Sequence, residues 1–173
     1  MRVHVISKME FDDLMIRNGI DDNTVEKFDS IMFISIVDTD NLKGPHFKED
    51  HDNAITLRFD DVEHNGEVAR VLVDDPDSLL KDHTQNRAFS EAQANRLYKF
   101  IKKNREKETC IVHCMAGISR SGAVGTFVNG YCKGDWDLFK RTNAYISPNP
   151  RVHRMLTAAR YNDLDDWKRK RNN

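Results

Sequence analysis

The segment Thr109-Cys110-Ile111-Val112-His113-Cys114-Met115-Ala116-Gly117-Ile118-Ser119-Arg120-Ser121-Gly122-Ala123 constrains this chain more than any other. A short apolar run ends in Cys114, a turn holding Gly117 follows, Arg120 closes it, and a helical pattern begins at once. The expected local structure is a strand, a tight loop and a helix start. A loop that opens a helix directs several unpaired backbone N–H groups into one concavity, and the helix dipole adds to their field. Such a concavity suits a tetrahedral oxyanion. Gly117 allows the turn, Arg120 offers a planar fork of donors for phosphate oxygens, and Cys114 sits at the entrance of the same positive field. A free thiol titrates at about 8.5, and helix N-termini and cationic neighbours lower that by several units, so a Cys114 thiolate at neutral pH is expected.

The string HCMAGISRS, His113 to Ser121, resembles the His-Cys-x5-Arg-Ser/Thr phosphate loop of the cysteine-dependent protein tyrosine phosphatases, and its wording is closest to the compact dual-specificity phosphatases. The resemblance implies that Cys114 attacks phosphorus to form a phosphocysteine. It further implies that Arg120 binds the equatorial oxygens, that Ser121 assists departure of the thiolate, and that His113 orders the loop and tunes the thiol. Met115, Ala116, Gly117, Ile118, Ser119 and Arg120 are then the phosphate-binding residues, and phosphate or sulfate is the anion the loop would hold. An aspartate on a separate loop protonates the leaving group and later deprotonates the attacking water. Two other readings stand beside this one: a buried structural cysteine next to a surface arginine, and a phosphate-binding module without turnover.

A chain of 173 residues suits a single domain, 1–173, large enough for its own core. With 27 basic and 28 acidic residues the formal charge is −1, so no bulk field attracts nucleic acid or an anionic membrane, and selection of phosphate must be local. No apolar run reaches membrane-spanning length, and the first residues soon meet Lys8, Glu10, Asp12 and Asp13, unlike a signal peptide. Cys110, Cys114 and Cys132 make no even-numbered disulfide framework. A cytoplasmic, monomeric protein is expected.

In chain order, Val3 to Ile6 reads as a strand. Ser7 caps a helix through Phe11, Leu14 and Met15 that ends near Asn18-Gly19, and Thr24 to Phe28 reads as a short helix or turn. Ile31 to Val37 is almost continuously apolar, as a strand buried on both faces in mid-sheet should be. His4 reads as structural. Asp38 to Asn53 is polar with Gly44-Pro45 and reads as a loop, in which His46, Glu49, Asp50 and His51 match no recognised metal spacing and are taken as solvated.

Ile55 to Phe59 alternates as a half-exposed strand and runs into Asp60-Asp61-Val62. The resemblance places the general acid at such a junction, with Asp61 first and Asp60 second. The shorter enzymes hold the acid closer to the cysteine, whereas Asp61 stands 53 residues before Cys114. An insertion over 63–87, with Val68 to Val73 as an extra strand, accounts for the excess and makes a candidate lid or specificity element. By bare spacing Asp82 is the alternative acid, with Asp74, Asp75 and Asp77 also available.

Ser90 and Gln93 form a capping box for a helix carrying Ala94, Leu97 and Ile101, which closes near Lys102-Lys103-Asn104 and leads to the nucleophile strand in a parallel β-α-β unit. After the loop, Ala123, Val124, Phe127, Val128 and Tyr131 make a core helix, and Trp136, Leu138 and Phe139 suggest a shorter one placed mostly in the core. Asn149 and Pro150 start a last helix with Val152, Met155, Leu156 and Ala159 on its apolar stripe. The string also resembles the Pro-Asn element near the active site of dual-specificity phosphatases, so Asn149 reads either as a cap or as a support of the loop. Lys168 to Arg171 reads as a solvated basic tail, with binding of an anionic partner as the sharper alternative.

The fold expected is α/β, a central and mainly parallel sheet of four to five strands flanked by helices, of the protein tyrosine phosphatase type. The function expected is hydrolysis of phosphomonoesters, with a phosphotyrosyl protein or peptide as substrate and possible dual specificity, using neither cofactor nor metal. Met115 and Ile118 leave no lysine in the loop, which argues against highly anionic inositol phosphates. Removal of phosphate from RNA 5′ ends is the alternative activity, opposed by the near-neutral charge. Cys110 or Cys132 bonding reversibly to Cys114 is weighed against simple burial of Cys110.

Overall fold

The computed structural model describes residues 1–40, 44–63 and 87–171, the last seven as backbone alone. Its elements in order are β1 (Arg2–Ser7), α1 (Lys8–Arg17), a 3-10 turn (Val25–Lys27), β2 (Ile31–Val37), β3 (Ala54–Arg58), α2 (Glu91–Lys103), β4 (Thr109–Cys114), α3 (Arg120–Tyr131), α4 (Trp136–Thr142) and α5 (Pro150–Arg171). The proposed strand Val68 to Val73, the bulk of the 63–87 insertion and Asp74, Asp75, Asp77 and Asp82 lie outside the described residues.

The strands form a four-stranded sheet in the order β1-β4-β2-β3, with every pairing parallel. A parallel sheet requires crossovers over its faces, so its central strands are covered on both sides and read as nearly unbroken apolar runs. That explains Ile31 to Val37, where six of seven residues are buried. Successive side chains in β4 point to opposite faces. Cys110, Val112 and Cys114 join the larger core with residues of α2, α3 and α5, and Ile111 joins a smaller one built on Phe11, Met15, Phe33 and Phe47. The pairing of Ser7 with Cys114 and of Ser35 with His113 brings the carboxyl ends of three strands to one edge. A loop leaving β4 must therefore cross the ends of β1 and β2.

Local signals account for the helix ends. Ser7 and Glu10 close a reciprocal capping box on α1, and Ser90 and Gln93 do the same on α2. Three expectations need correction. In α4 only Phe139 is buried, while Trp136 and Leu138 are 45% and 38% exposed, because a two-turn helix offers one side to the core. The backbone of the C-terminal basic run, expected only as a tail, is helical, with α5 continuing through Arg171. His46 and His51 are not solvated: His46 Nε2 meets the Ile20 carbonyl at 2.7 Å, and His51 Nε2 meets Asp22 Oδ1 at 2.9 Å. They pin the loop onto the segment between α1 and the 3-10 turn.

β1 lies at one side of the sheet, and a side chain completes its hydrogen bonding. Asn143 Oδ1 accepts from Val5 N at 2.7 Å, while Asn143 Nδ2 donates to the carbonyls of Val3 at 3.0 Å and Phe139 at 2.9 Å. Asn143→Ala strips these partners from a buried edge, at about 1–3 kcal/mol for each group left unsatisfied. We expect the urea midpoint to fall by an amount equivalent to about 3 kcal/mol with an unchanged m-value.

Candidate active site

Cys114 is the last residue of β4 and Arg120 the first of α3, so the intervening turn is held at both ends by regular structure. Gly117 has φ +73°, and a Cβ there would lie 2.5 Å from the Ile6 carbonyl carbon and 2.6 Å from Ser7 N. Both obstacles are backbone, so the position demands glycine for its conformation and for the closeness of β1. The Lys8 N–H donates to the Met115 carbonyl at 3.2 Å and fastens the other side of the turn to α1.

The Cys114 sulfur lies inside this turn, 2% exposed for the residue as a whole. Burial alone pushes a thiol up. Against it act the Ser121 hydroxyl, 3.0 Å from Sγ, and the backbone N–H groups of Ser121, Ile118 and Gly117, and together they hold the thiol below its ordinary value. Hydrogen bonds to the charged form thus outweigh desolvation. Ser119 occupies the N-cap position of α3 but makes no side-chain bond to the first turn, so its hydroxyl does not compete for those N–H groups.

His113 points to the opposite face of β4. Its Nε2 and Ser35 Oγ are 2.7 Å apart, and its ring lies 4.1 Å from that of Phe11 at 31°. Burial, with a smaller push from Lys8 and against a pull from the Cys114 backbone, drives the imidazole down to about 4, so it is neutral at pH 7. His113 therefore acts by holding the strand end, with no positive charge of its own to give the thiol.

Arg120 is 5% exposed. Its Nη1 donates to Asp38 Oδ1 at 2.5 Å and to the Phe59 carbonyl at 2.8 Å, whereas Nε is buried and has no hydrogen-bond partner among the described residues. One edge of the guanidinium is tied to the scaffold, and a donor on the other side is left for a ligand. Asp38, the residue after β2, carries no signal in a single sequence. It matters only because the strand order puts β2 beside β4.

Asp60 and Asp61, two of the candidate acids, differ in their surroundings. Asp60 accepts from Thr39 N at 2.9 Å, from Thr39 Oγ1 and from the Arg87 guanidinium; burial raises its carboxyl, but these bonds outweigh it and hold the group below the usual range. These bonds tie Asp60 to Thr39 and to Arg87. Asp61 is exposed and turned toward the loop: its Oδ1 accepts from Ser119 Oγ at 2.8 Å and from Asn149 Nδ2 at 2.7 Å. Asn149 fills both roles open to it. Its Oδ1 caps α5 by accepting from Val152 N at 3.1 Å, its Nδ2 holds Asp61, and its backbone N–H donates to the Ser119 carbonyl at 3.1 Å.

Around the mouth, Met115 and Ile118 are 51% and 41% exposed. Cys110 is fully buried and lies four residues up an extended strand from Cys114, about 13 Å away, and Cys132 follows α3, whose twelve residues span about 18 Å. Neither is placed to bond with Cys114, and burial pushes both thiols up, Cys132 to about 11. No cluster of histidine, cysteine and carboxylate able to hold a metal occurs among the described residues, nor does a helix long and apolar enough to cross a membrane. A cavity of about 200 Å³ beside Arg2, His4 and Asn129 lies at the amino end of β1, away from the loop. Comparison with family models, curated proteins and solved structures returned no match.

Two outcomes follow from these environments. Alkylation by iodoacetamide should modify Cys114 with a midpoint below that of an ordinary thiol, and Ser121→Ala should move that midpoint upward; equal reactivity of Cys114 and Cys132 at neutral pH would contradict the assignment. Because the folded value of His113 lies below 6.5, the unfolded chain takes up this proton first. Its contribution to stability is present above pH 6.5 and is lost as pH falls toward about 4, by up to about 3 kcal/mol. Urea titrations of His113→Gln should show that part of the slope removed.

Proposed function

We propose that this protein is a phosphomonoester hydrolase of the cysteine-dependent protein tyrosine phosphatase type, with an aryl phosphate, phosphotyrosine in a protein or peptide, as substrate. The observation that carries the reading is the convergence on one buried sulfur of the Gly117, Ile118 and Ser121 N–H groups and the Ser121 hydroxyl, at a helix start closed by Arg120. An inert core cysteine has no need of four donors, and desolvation would leave it a neutral thiol.

The phosphoryl oxygens take the loop N–H groups and the open side of the Arg120 guanidinium, while Nη1 keeps its hold on Asp38 and Phe59. The Cys114 thiolate attacks phosphorus in line, a P–S bond forms, and the P–O bond to the leaving group breaks. That oxygen takes the proton carried by Asp61. Its Oδ1 is occupied by Ser119 and Asn149, so Oδ2 bears the proton. In the second half a water gives its proton to Asp61 and attacks phosphorus, the P–S bond breaks, and the Ser121 hydroxyl, 3.0 Å from Sγ, receives the returning thiolate. Inorganic phosphate leaves, and no external electron donor or acceptor is required.

The choice of substrate rests on the surroundings of the loop. Exposed Met115 and Ile118 offer apolar contact to an aromatic ring, and the loop holds no lysine for additional phosphates. We expect Cys114→Ser to bind phosphate without turnover, Arg120→Lys to lose about 10²–10³-fold in kcat, and Asp61→Asn to lose about 10²–10⁴-fold together with the basic limb of the pH profile. Hydrolysis assays on p-nitrophenyl phosphate, a phosphotyrosyl peptide and triphosphate-ended RNA check the class. Release from RNA alone moves the reading to a 5′-end phosphatase, and phosphate binding without hydrolysis of any ester leaves a binding module.

A further inference from the structure

Resting on the phosphatase reading, we infer that Ser119 is a positioning residue for the general acid, so that the phosphate loop itself carries the clamp that fixes where Asp61 delivers its proton. A serine at the N-cap position ordinarily accepts from an N–H of the first helical turn. Ser119 does not: its hydroxyl donates instead to Asp61 Oδ1 at 2.8 Å, a residue 58 positions away in sequence. Two gains come from this one rotation. The first-turn N–H groups stay open for the oxyanion and for the sulfur, and the acid is bound to the structure that holds the phosphate.

The clamp is closed on its other side. The Ser119 carbonyl accepts from Ala123 N at 2.9 Å, within α3, and from Asn149 N at 3.1 Å, and Asn149 Nδ2 returns to the same Asp61 oxygen at 2.7 Å. Ser119, Asn149 and Asp61 therefore form a ring of three hydrogen bonds that joins the phosphate loop, the start of α5 and the segment after β3. Asp61 is otherwise an exposed residue in the segment after β3. Among the described residues, Ser119 and Asn149 are the side chains that donate to the Asp61 carboxyl, and the ring they form orients it toward the leaving-group side of the loop. Two donors on Oδ1 also direct the acidic hydrogen to Oδ2, the oxygen left free. Asp60, one residue away and bound to Thr39 and Arg87, cannot substitute for it.

A misplaced acid hurts most when the leaving group most needs its proton. The measurement is therefore kcat for phenyl phosphate and for p-nitrophenyl phosphate, whose leaving groups differ in basicity, across pH for the full chain. Ser119→Ala should lower kcat for both esters, by about tenfold for p-nitrophenyl phosphate and about a hundredfold for phenyl phosphate, with a flattened basic limb. Inhibition by orthovanadate, which reports on the loop, should change less than threefold. Ser119→Thr, which keeps the hydroxyl, should restore the difference between the esters. Should Ser119→Ala fail to fold, Ser119→Cys, similar in size and a poor donor, gives the same comparison. Equal losses on both esters, or a loss accompanied by a parallel weakening of vanadate, overturns the inference and makes Ser119 a structural part of the loop. A wild-type protein that hydrolyses neither ester overturns the phosphatase reading itself, which distinguishes the two failures.

Discussion

Burial and hydrogen bonding pull the Cys114 sulfur in opposite directions, and the structure is arranged so that hydrogen bonding wins. A thiol enclosed at the end of a central strand should be neutral, as burial keeps Cys110 four residues earlier. The difference between these two cysteines of one strand is the turn that follows the second. Gly117 brings that turn within contact distance of the Ile6–Ser7 backbone, and the tight path aims three amide hydrogens inward. Sheet order supplies the rest: β1 and β2 flank β4, so one supports the turn and the other ends at Asp38, which anchors Arg120.

The loop from Cys114 to Arg120 and the segment holding Asp61 are separate in sequence and joined in space by few contacts among the described residues. Arg120 reaches the segment after β3 through the Phe59 carbonyl, and Asn149 reaches it through Asp61. A helix cap therefore does more than end a helix. The same amide that satisfies Val152 N at the start of α5 also restrains the candidate acid, so the stability of α5 and the geometry of the site share one side chain.

The parts legible in the sequence are those with a local cause. The loop from Cys114 to Arg120, the capping boxes at Ser7 and Ser90 and the doubly buried strand Ile31 to Val37 each follow from residues close together in the chain, and all are present. Position alone ranks Asp61 before Asp60 in the sequence, and their different surroundings were not legible there: Thr39 and Arg87 engage Asp60, while Asp61 faces the loop. Asp38, Ser35 and the redirected hydroxyl of Ser119 were not legible. Each depends on a partner 58 or more positions away, brought close by strand order or by a loop path that no periodicity encodes. The exposed Trp136 is the converse case: its spacing predicts a core position, but a two-turn helix has too little surface to bury it.

The account stands on sulfur forming a bond to phosphorus. Rapid acid quench of Asp61→Asn mixed with p-nitrophenyl phosphate, followed by peptide mass analysis, tests this most directly, since loss of the acid should slow hydrolysis of the intermediate more than its formation from an activated ester. The account predicts one added phosphoryl group on the peptide containing Cys114, matched by a burst of p-nitrophenol of the same stoichiometry. Phosphate release with no covalent adduct at any time point, or an adduct on another residue, would contradict it.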